Sequence, residues 1–113
     1  MPVIKMLIGF RRRAGMTIGE FKDYRRDVHA PLLFDLPEAA LIRRFVVSYP
    51  IAAPGWPDPS FDAVVEAWFD TFEDLDTLYT CEGFRAKVDP DHVNFIDLDS
   101  VSRIISEELI IKD

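Results

Sequence analysis

The segment Phe61–Asp70, which reads FDAVVEAWFD, alternates apolar and mixed residues, and this alternation decides the fold class. The odd-numbered positions are all apolar, namely Phe61, Ala63, Val65, Ala67 and Phe69. The even-numbered positions mix charge with large apolar groups, among them Glu66 and Trp68. Because successive side chains of a β-strand point to opposite faces, the segment predicts a strand with one face on helices and one face on a partly polar surface.

Three further strands are predicted on either side of this segment. Val3–Phe10 has a wholly apolar even-numbered face and predicts strand one, Leu41–Tyr49 predicts strand two, and Val101–Ile111 predicts the last strand. The proline-rich run between Tyr49 and Phe61 predicts a loop, because proline cannot continue a sheet.

Helix signals separate these strands. Thr17 opens a T-x-x-E capping box, and the first helix is expected to end near His29 because Pro31 follows it. Its expected buried stripe consists of Ile18, Phe21, Val28 and Leu32. Asp70 or Thr71 caps a second helix. The resulting β-α-β-β-α-β order predicts a ferredoxin-like α+β fold, an antiparallel four-stranded sheet with both helices on one face.

Composition limits the classes of function. The 113 residues fit one domain, residues 1–113, and the formal charge of −7 disfavours nucleic acid and anionic lipid as partners. The apolar stretch at the N-terminus is too short for a membrane span, so no membrane association is expected. Cys81 is the single cysteine and has no partner for an internal disulfide, which favours a cytoplasmic location.

The predicted sheet leaves its second face open. Trp68, Phe45, Leu7 and aliphatic residues of the last strand would form a large apolar patch there. The expected partner is a second copy packed sheet against sheet, so we predict a homodimer with a partly lined cavity.

Three segments resemble the EthD-like family of the dimeric α+β barrel superfamily: RRRAGMTIGEF with YRRDVHAPL, then LPEAALIRRFV, then FDAVVEAWFDTFEDL. The resemblance spans roughly Val3 to Leu75, and its most specific part is the His-Ala-Pro segment after an F-x-x-Y helix. It implies a ferredoxin-like subunit, a homodimeric α+β barrel and a small hydrophobic or aromatic ligand. Relatives include an isomerase and polyketide-modifying proteins, so the family does not specify one reaction.

The resemblance also implies site residues. The family's histidine before proline corresponds to His29 and its neighbouring tyrosine to Tyr24. Phe45 stands where such sequences often carry a second tyrosine, so the phenol that would share a proton with the histidine is missing. Tyr49 has the same strand parity as Phe45 and is a substitute about 13 Å further along the strand.

The remaining candidates each have a structural alternative. Trp68 is a candidate substrate-binding residue, but tryptophan is more often a core or interface residue. Glu66 shares that strand face, and an ion pair with Lys5 is the simpler expectation for it. His92 is expected to be an exposed helix residue after a cap at Asp89. No metal is expected from histidines 63 positions apart, and no glycine-rich phosphate loop is present. We expect no cofactor, since haem on His29, as in other barrels of the superfamily, has no separate support.

Two functions stay open at this point. In the first, the protein is a cofactor-independent isomerase, cyclase or dehydratase acting on a small cyclic, aromatic or lactone-type compound. His29 and Tyr49 are then catalytic, while Tyr24, Phe45, Trp68 and Glu66 contact the substrate. In the second, the dimer binds such a compound without catalysis, as an accessory module of a pathway. The retained HAP segment favours the enzyme, and Phe45 in place of tyrosine favours the binding module.

Overall fold

The computed structural model of the chain describes residues 3–113, which include an antiparallel four-stranded sheet. The strands are β1 (Ile4–Arg12), β2 (Arg44–Ser48), β3 (Ala63–Phe69) and β4 (Ile96–Glu107). Their spatial order is β2-β3-β1-β4, and every neighbouring pair is antiparallel. This is the predicted ferredoxin-like α+β arrangement.

Two helical runs cover one face of the sheet. The first comprises α1 (Ile18–Tyr24), a π-helical turn (Arg25–His29) and α2 (Ala30–Phe34) without interruption, and a 3₁₀ turn (Pro37–Leu41) leads from it to β2. No helix within residues 3–113 is long and apolar enough to cross a membrane.

The second helical run joins β3 to β4. It comprises α3 (Phe72–Thr80), a second π-helical turn (Phe84–Val88) and a 3₁₀ helix (Asp89–Asn94). The Thr71 side chain accepts the amide hydrogen of Asp74 and so caps α3, one of the two predicted alternatives.

The alternation that predicted β3 determines which face of the sheet is buried. Ala63, Val65, Ala67 and Phe69 are all buried under the helices, and the even-numbered residues between them are half-buried. In β1, Met6 and Phe10 face the same helices. We call this the helix-side face, and we call the opposite one the open face.

The first helix begins as predicted and ends later than predicted. Thr17 and Glu20 exchange both capping-box hydrogen bonds. The helix does not end near His29, however, and continues to Phe34. In the π-helical turn the amide of Ala30 donates to the carbonyl oxygen of Arg25, five residues back. Pro31 thereby falls in the first turn of α2, where a missing amide hydrogen is tolerated.

Other boundaries differ from the prediction as well. β1 continues past Phe10 to Arg12, and β4 begins at Ile96 and not at Val101, because Arg11 and Arg12 pair with Asp97 and Ile96. Leu41 belongs to the 3₁₀ turn, so β2 begins only at Arg44. The last strand ends at Glu107 and not at Ile111, because Glu107 pairs with Ile4, the first residue of β1. Beyond this pair the amide of Glu108 still donates to the carbonyl oxygen of Val3 at 3.3 Å. Val88, not Asp89, is the N-cap of the 3₁₀ helix, because the preceding π-helical turn runs into it without a break.

Candidate functional site

An apolar cavity of about 530 Å³ lies between the helix-side face of the sheet and both helical runs. Its walls are mostly aliphatic and aromatic, with Met6 and Phe10 from β1, Phe45 from β2 and Leu98 and Val101 from β4. A cavity of this size, with apolar walls and a few polar groups, is typical of a small-molecule site. The polar groups come from Arg25 and His29 in the first helical run, Tyr79, Asp89 and His92 in the second, and Arg103 in β4.

The first helical run buries every fourth residue, and Arg25, His29 and Leu33 of this set line the cavity. Its buried residues are Phe21, Arg25, His29 and Leu33. The predicted stripe is therefore wrong in part, since Ile18 is 38% and Val28 41% exposed. A π-helical turn advances each residue by less than the about 100° of an α-helix, so residues four apart stay aligned. The π-helical turn therefore buries Arg25 and His29, whereas the predicted stripe placed Val28 inside the protein.

Asp91 holds the His29 ring inside the protein. His29 Nδ1 lies 2.9 Å from Asp91 Oδ2. Asp91 Oδ1 accepts hydrogen bonds from the Tyr24 hydroxyl at 2.6 Å and from Asn94 Nδ2 at 3.0 Å. A carboxylate only accepts, so Nδ1 carries the proton and Nε2 carries the lone pair. Nε2 forms no hydrogen bond with residues 3–113, and His29 borders the cavity.

Burial keeps His29 neutral at physiological pH. Desolvation is the largest effect and lowers the pKa of His29 to about 4, against the hydrogen bond to Asp91, which raises it. Burial also acts to raise the pKa of Asp91, but hydrogen bonds from Tyr24, Asn94 and His29 outweigh it, and that pKa lies below its usual value. The pair is therefore a neutral imidazole hydrogen-bonded to a carboxylate.

His92 is a second cavity histidine that the sequence did not identify. Its ring centroid lies 4.6 Å from that of His29, and Phe95 packs 4.7 Å from His29 on another side. Nδ1 of His92 donates to the carbonyl oxygen of Asp89 at 3.0 Å. The prediction of an exposed His92 is wrong, because the π-helical and 3₁₀ turns of residues 84–94 bring this ring against the first helical run.

His29 itself lies elsewhere than predicted. It is 3% exposed and lies in the middle of the helical run, whereas the sequence predicted that the helix would end near it. Its hydrogen-bond partner is Asp91, and not Tyr24, the neighbour that the resemblance implied. Tyr24 is linked to His29 through Asp91, because its hydroxyl donates a hydrogen bond to that carboxylate. The Tyr24 ring stacks on Phe95 with centroids 5.2 Å apart.

The other candidates from the sequence separate onto two faces of the sheet. Phe45 pairs with Ala67 and lines the cavity, so the expectation that Phe45 and Trp68 share a face is wrong. Trp68 lies on the open face, as its strand parity predicts, where Nε1 donates to Glu108 Oε1 at 2.7 Å. Lys5 stands 4.7 Å from the centre of the Trp68 ring and forms an ion pair with Glu66.

Tyr49 also lies away from the cavity walls, although it follows the strand that carries Phe45. Its ring makes an edge contact with Phe21 at 6.2 Å, and Lys22 Nζ lies 4.8 Å above it. The sheet therefore does not bring Tyr49 to His29, and the phenol nearest to the histidine network is that of Tyr24.

Arg25 is another cavity residue that the sequence did not identify. It is 7% exposed, one helical turn before His29, and its guanidinium carbon lies 5.2 Å from the ring centres of Phe10 and Phe95. Arg25 and Arg26 are adjacent in the charged run YRRD, and only the burial at four-residue steps distinguishes them.

A protein-family model for the EthD domain matches residues 13–99 of the sequence. No curated protein matches. Among solved structures, the chain is similar to an ethyl tert-butyl ether d (EthD) family protein from Bacillus halodurans at 20% identity and a TM-score of 0.74, over 95% of this chain and 99% of that one.

Two further structures share the fold. An EthD-like protein from Ralstonia eutropha is 17% identical with a TM-score of 0.68, over 100% of this chain and 96% of that one. A dimeric protein of unknown function and ferredoxin-like fold from Bacteroides fragilis is 17% identical with a TM-score of 0.59, over 94% of each chain.

Proposed function

The chain belongs to the EthD domain family, and from this premise and the cavity we propose that it is a cofactor-independent enzyme that transfers protons on a small cyclic, aromatic or lactone-type compound. The observation that carries the proposal is the His29–Asp91 hydrogen bond, which leaves Nε2 of a neutral imidazole at an apolar cavity. An enzyme of this class needs one positioned base and a dry, shaped site.

In the proposed reaction, Nε2 of His29 removes a proton from a carbon next to a carbonyl group. The electron pair of that C–H bond becomes the enolate, and the imidazolium that forms is stabilised by the Asp91 carboxylate. The imidazolium exchanges this proton with solvent and then returns a proton to a different atom of the enolate, which gives an isomer and restores the neutral imidazole. Return to the original carbon is observed as exchange with solvent. Tyr24 and Asn94 hold Asp91 in place and are positioning residues.

Exchange of carbon-bound protons with solvent tests this proposal without knowledge of the natural substrate. We expect wild-type protein in D₂O to accelerate loss of the α-proton NMR signals of 2-tetralone, a bicyclic ketone that suits the cavity volume. His29→Asn keeps a donor for Asp91 but removes the basic nitrogen, so it should slow the exchange at least about 100-fold.

Arg26→Gln is the matched control for this experiment, because Arg26 lies on the same helical run with its side chain 71% exposed. It should exchange 2-tetralone at the wild-type rate. Equal rates for wild type and His29→Asn would contradict the proposal, and binding of 2-tetralone without any exchange would support the non-catalytic module instead. A large decrease of the exchange rate in Tyr49→Phe would show that the Tyr49 phenol reaches the substrate although it does not line the cavity.

We also propose that two copies pack open face to open face. Ile104 is 58% exposed there and pairs with Leu7 of β1. Val64 and Phe61 extend the apolar surface beside them. Contiguous apolar surface of this kind is typical of protein interfaces. The Bacteroides fragilis structure, which has the same fold, is described as dimeric.

Light scattering tests the proposed dimer. Wild type at micromolar concentration should have twice the chain mass of 13.0 kDa. Ile104→Glu should be monomeric, because two carboxylates would be buried near the twofold axis. Val28→Glu, which places the same charge on the exposed surface of the helical run, should remain dimeric. A stable wild-type monomer would refute the proposal.

A further inference from the structure

Arg25 is a buried cation without an anionic partner among residues 3–113. Nε is shielded from solvent and has no hydrogen-bond partner, and the guanidinium forms no ion pair with those residues. The Phe10 and Phe95 rings, each 5.2 Å from the guanidinium carbon, attract the charge but accept no conventional hydrogen bond. A buried charge left in this state is destabilising. Burial lowers the pKa of Arg25, but the guanidinium is so strong a base that it stays protonated.

The cavity around Arg25 is poor in negative charge, although the chain carries a net charge of −7. Arg103 enters from β4, so two arginines line the cavity. Asp89 is the one acidic residue of the lining, and its side chain is 70% exposed and faces His92. The nearby carboxylate of Asp91 is occupied by Tyr24, Asn94 and His29. The described part of the chain therefore offers Arg25 no counter-ion.

We infer that Arg25 binds the carboxylate of the substrate, so that the substrate class is a small aromatic or alicyclic carboxylic acid whose ring fills the apolar cavity. The planar guanidinium can donate two parallel hydrogen bonds to one carboxylate. Arg25 and His29 both pack against Phe95. The guanidinium carbon lies 5.2 Å and the imidazole centroid 4.7 Å from the centre of the Phe95 ring. A carboxylate at Arg25 therefore places the attached ring next to His29. This inference rests on the proposed function, because it concerns the same site.

Occupancy of Arg25 would also alter the base. After burial, the charges of His92 and Arg25 lower the pKa of His29 further. A carboxylate at Arg25 cancels part of that charge, which raises the pKa of His29 and strengthens Nε2 as a proton acceptor. The charged and titratable groups around His29 are Arg25 from its own helical run, Asp89, Asp91 and His92 from residues 84–94, Tyr79 from α3 and Arg103 from β4.

Equilibrium binding of two isosteric probes tests the inference. 2-Naphthoate carries a carboxylate, and 2-naphthamide has nearly the same shape without charge. By titration calorimetry at pH 7.5, wild type should bind 2-naphthoate at least about tenfold more tightly than 2-naphthamide, an advantage of about 1.4 kcal/mol. Arg25→Met, which keeps an unbranched apolar side chain but removes the guanidinium, should lose this preference. Arg26→Met removes one positive charge from the exposed side of the same helical run and should keep it.

The stability of Arg25→Met distinguishes a ligand-binding arginine from a structural one. Replacing an unpaired buried charge with an unbranched apolar side chain should leave the midpoint of urea unfolding unchanged or raise it. If Arg25→Met does not fold, Arg25→Lys serves as the second variant. It retains the charge but lacks the two parallel N–H donors of the guanidinium, so it should show a weakened preference for 2-naphthoate.

Three results would overturn the inference: equal affinities of wild type for the two probes, no binding of 2-naphthoate at millimolar concentration, or an unchanged preference in Arg25→Met. A preference that disappears in Arg103→Met and persists in Arg25→Met would assign the carboxylate to β4 instead. These measurements involve no proton transfer. If wild type prefers 2-naphthoate but does not exchange the protons of 2-tetralone, this inference stands and the proposed reaction is refuted. If wild type exchanges the protons of 2-tetralone but does not prefer 2-naphthoate, the proposed reaction stands and this inference is refuted.

Discussion

Replacing Asp91 with alanine is expected to lower the free energy of unfolding by about 3 to 5 kcal/mol, a large share of the stability of a domain of this size. The carboxylate accepts three hydrogen bonds, from Tyr24, His29 and Asn94. His29 is buried, so its Nδ1 proton would be left without an acceptor. Each buried donor left unpaired costs about 1–3 kcal/mol. Urea unfolding at pH 7.5 and fixed protein concentration measures the loss.

Two companion variants separate the hydrogen bonds of Asp91 from its charge. Asp89→Ala, two residues away with a side chain 70% exposed, should change stability by less than about 0.5 kcal/mol. Asp91→Asn keeps an acceptor for Tyr24, while its amide group donates to Nδ1 of His29 and moves the ring proton to Nε2. It should therefore lose most of the exchange activity and only about 1 kcal/mol of stability. A loss below about 1 kcal/mol in Asp91→Ala would show that water replaces the carboxylate.

The fold could be predicted from the sequence because its signals are local. The period of two in residues 61–70 assigned both faces of β3, and the T-x-x-E sequence located the start of the first helix. The ends of the first helix and of the last strand were predicted wrongly, because backbone hydrogen bonds that no local pattern indicates determine where those elements end. Pro31 did not end the helix because a π-helical turn precedes it, and β4 ended at Glu107 because β1 begins opposite that residue.

The site could be predicted only in part, because its partners lie far apart in the chain. The HAP segment identified His29, but Asp91 is 62 residues away and no local pattern connects the two. Arg25 and His92 were missed for related reasons, one within a charged helical run and one in a short turn. A usable signal was the four-residue spacing of Phe21, Arg25, His29 and Leu33, which becomes an inward stripe once the helix widens.

The buried polar residues Arg25 and His29 occupy positions where they lower the stability of the fold. A domain selected only for stability would place apolar side chains at the positions of Arg25 and His29. Their burial, one without a partner and the other with a pKa near 4, is the expected sign of residues kept for binding and chemistry. Stability and function are therefore opposed at the same few positions.

Acid should unfold the protein partly through His29. Burial lowers the pKa of His29 from 6.5 to about 4 in the folded state, whereas the unfolded chain retains the ordinary value. The unfolded state therefore binds more protons between pH 6.5 and pH 4, and stability falls as pH decreases through that window. The full difference corresponds to about 3 kcal/mol, at about 1.4 kcal/mol per unit of pKa. Burial also lowers the pKa of His92, which adds to the loss in the same direction.

His29→Asn isolates this contribution, because asparagine donates to Asp91 but does not titrate. Urea unfolding of both proteins at pH 7.5, 6.5, 5.5 and 4.5, at one protein concentration, gives two curves of stability against pH. The wild-type curve should fall more steeply by about one proton below pH 6.5, so that the difference between the proteins changes by about 2 to 3 kcal/mol over the series. Contributions from His92 and the carboxylates are common to both proteins and cancel. Parallel curves would mean that His29 is protonated in the folded protein near its ordinary pKa, and a neutral buried base would then be the wrong description of this site.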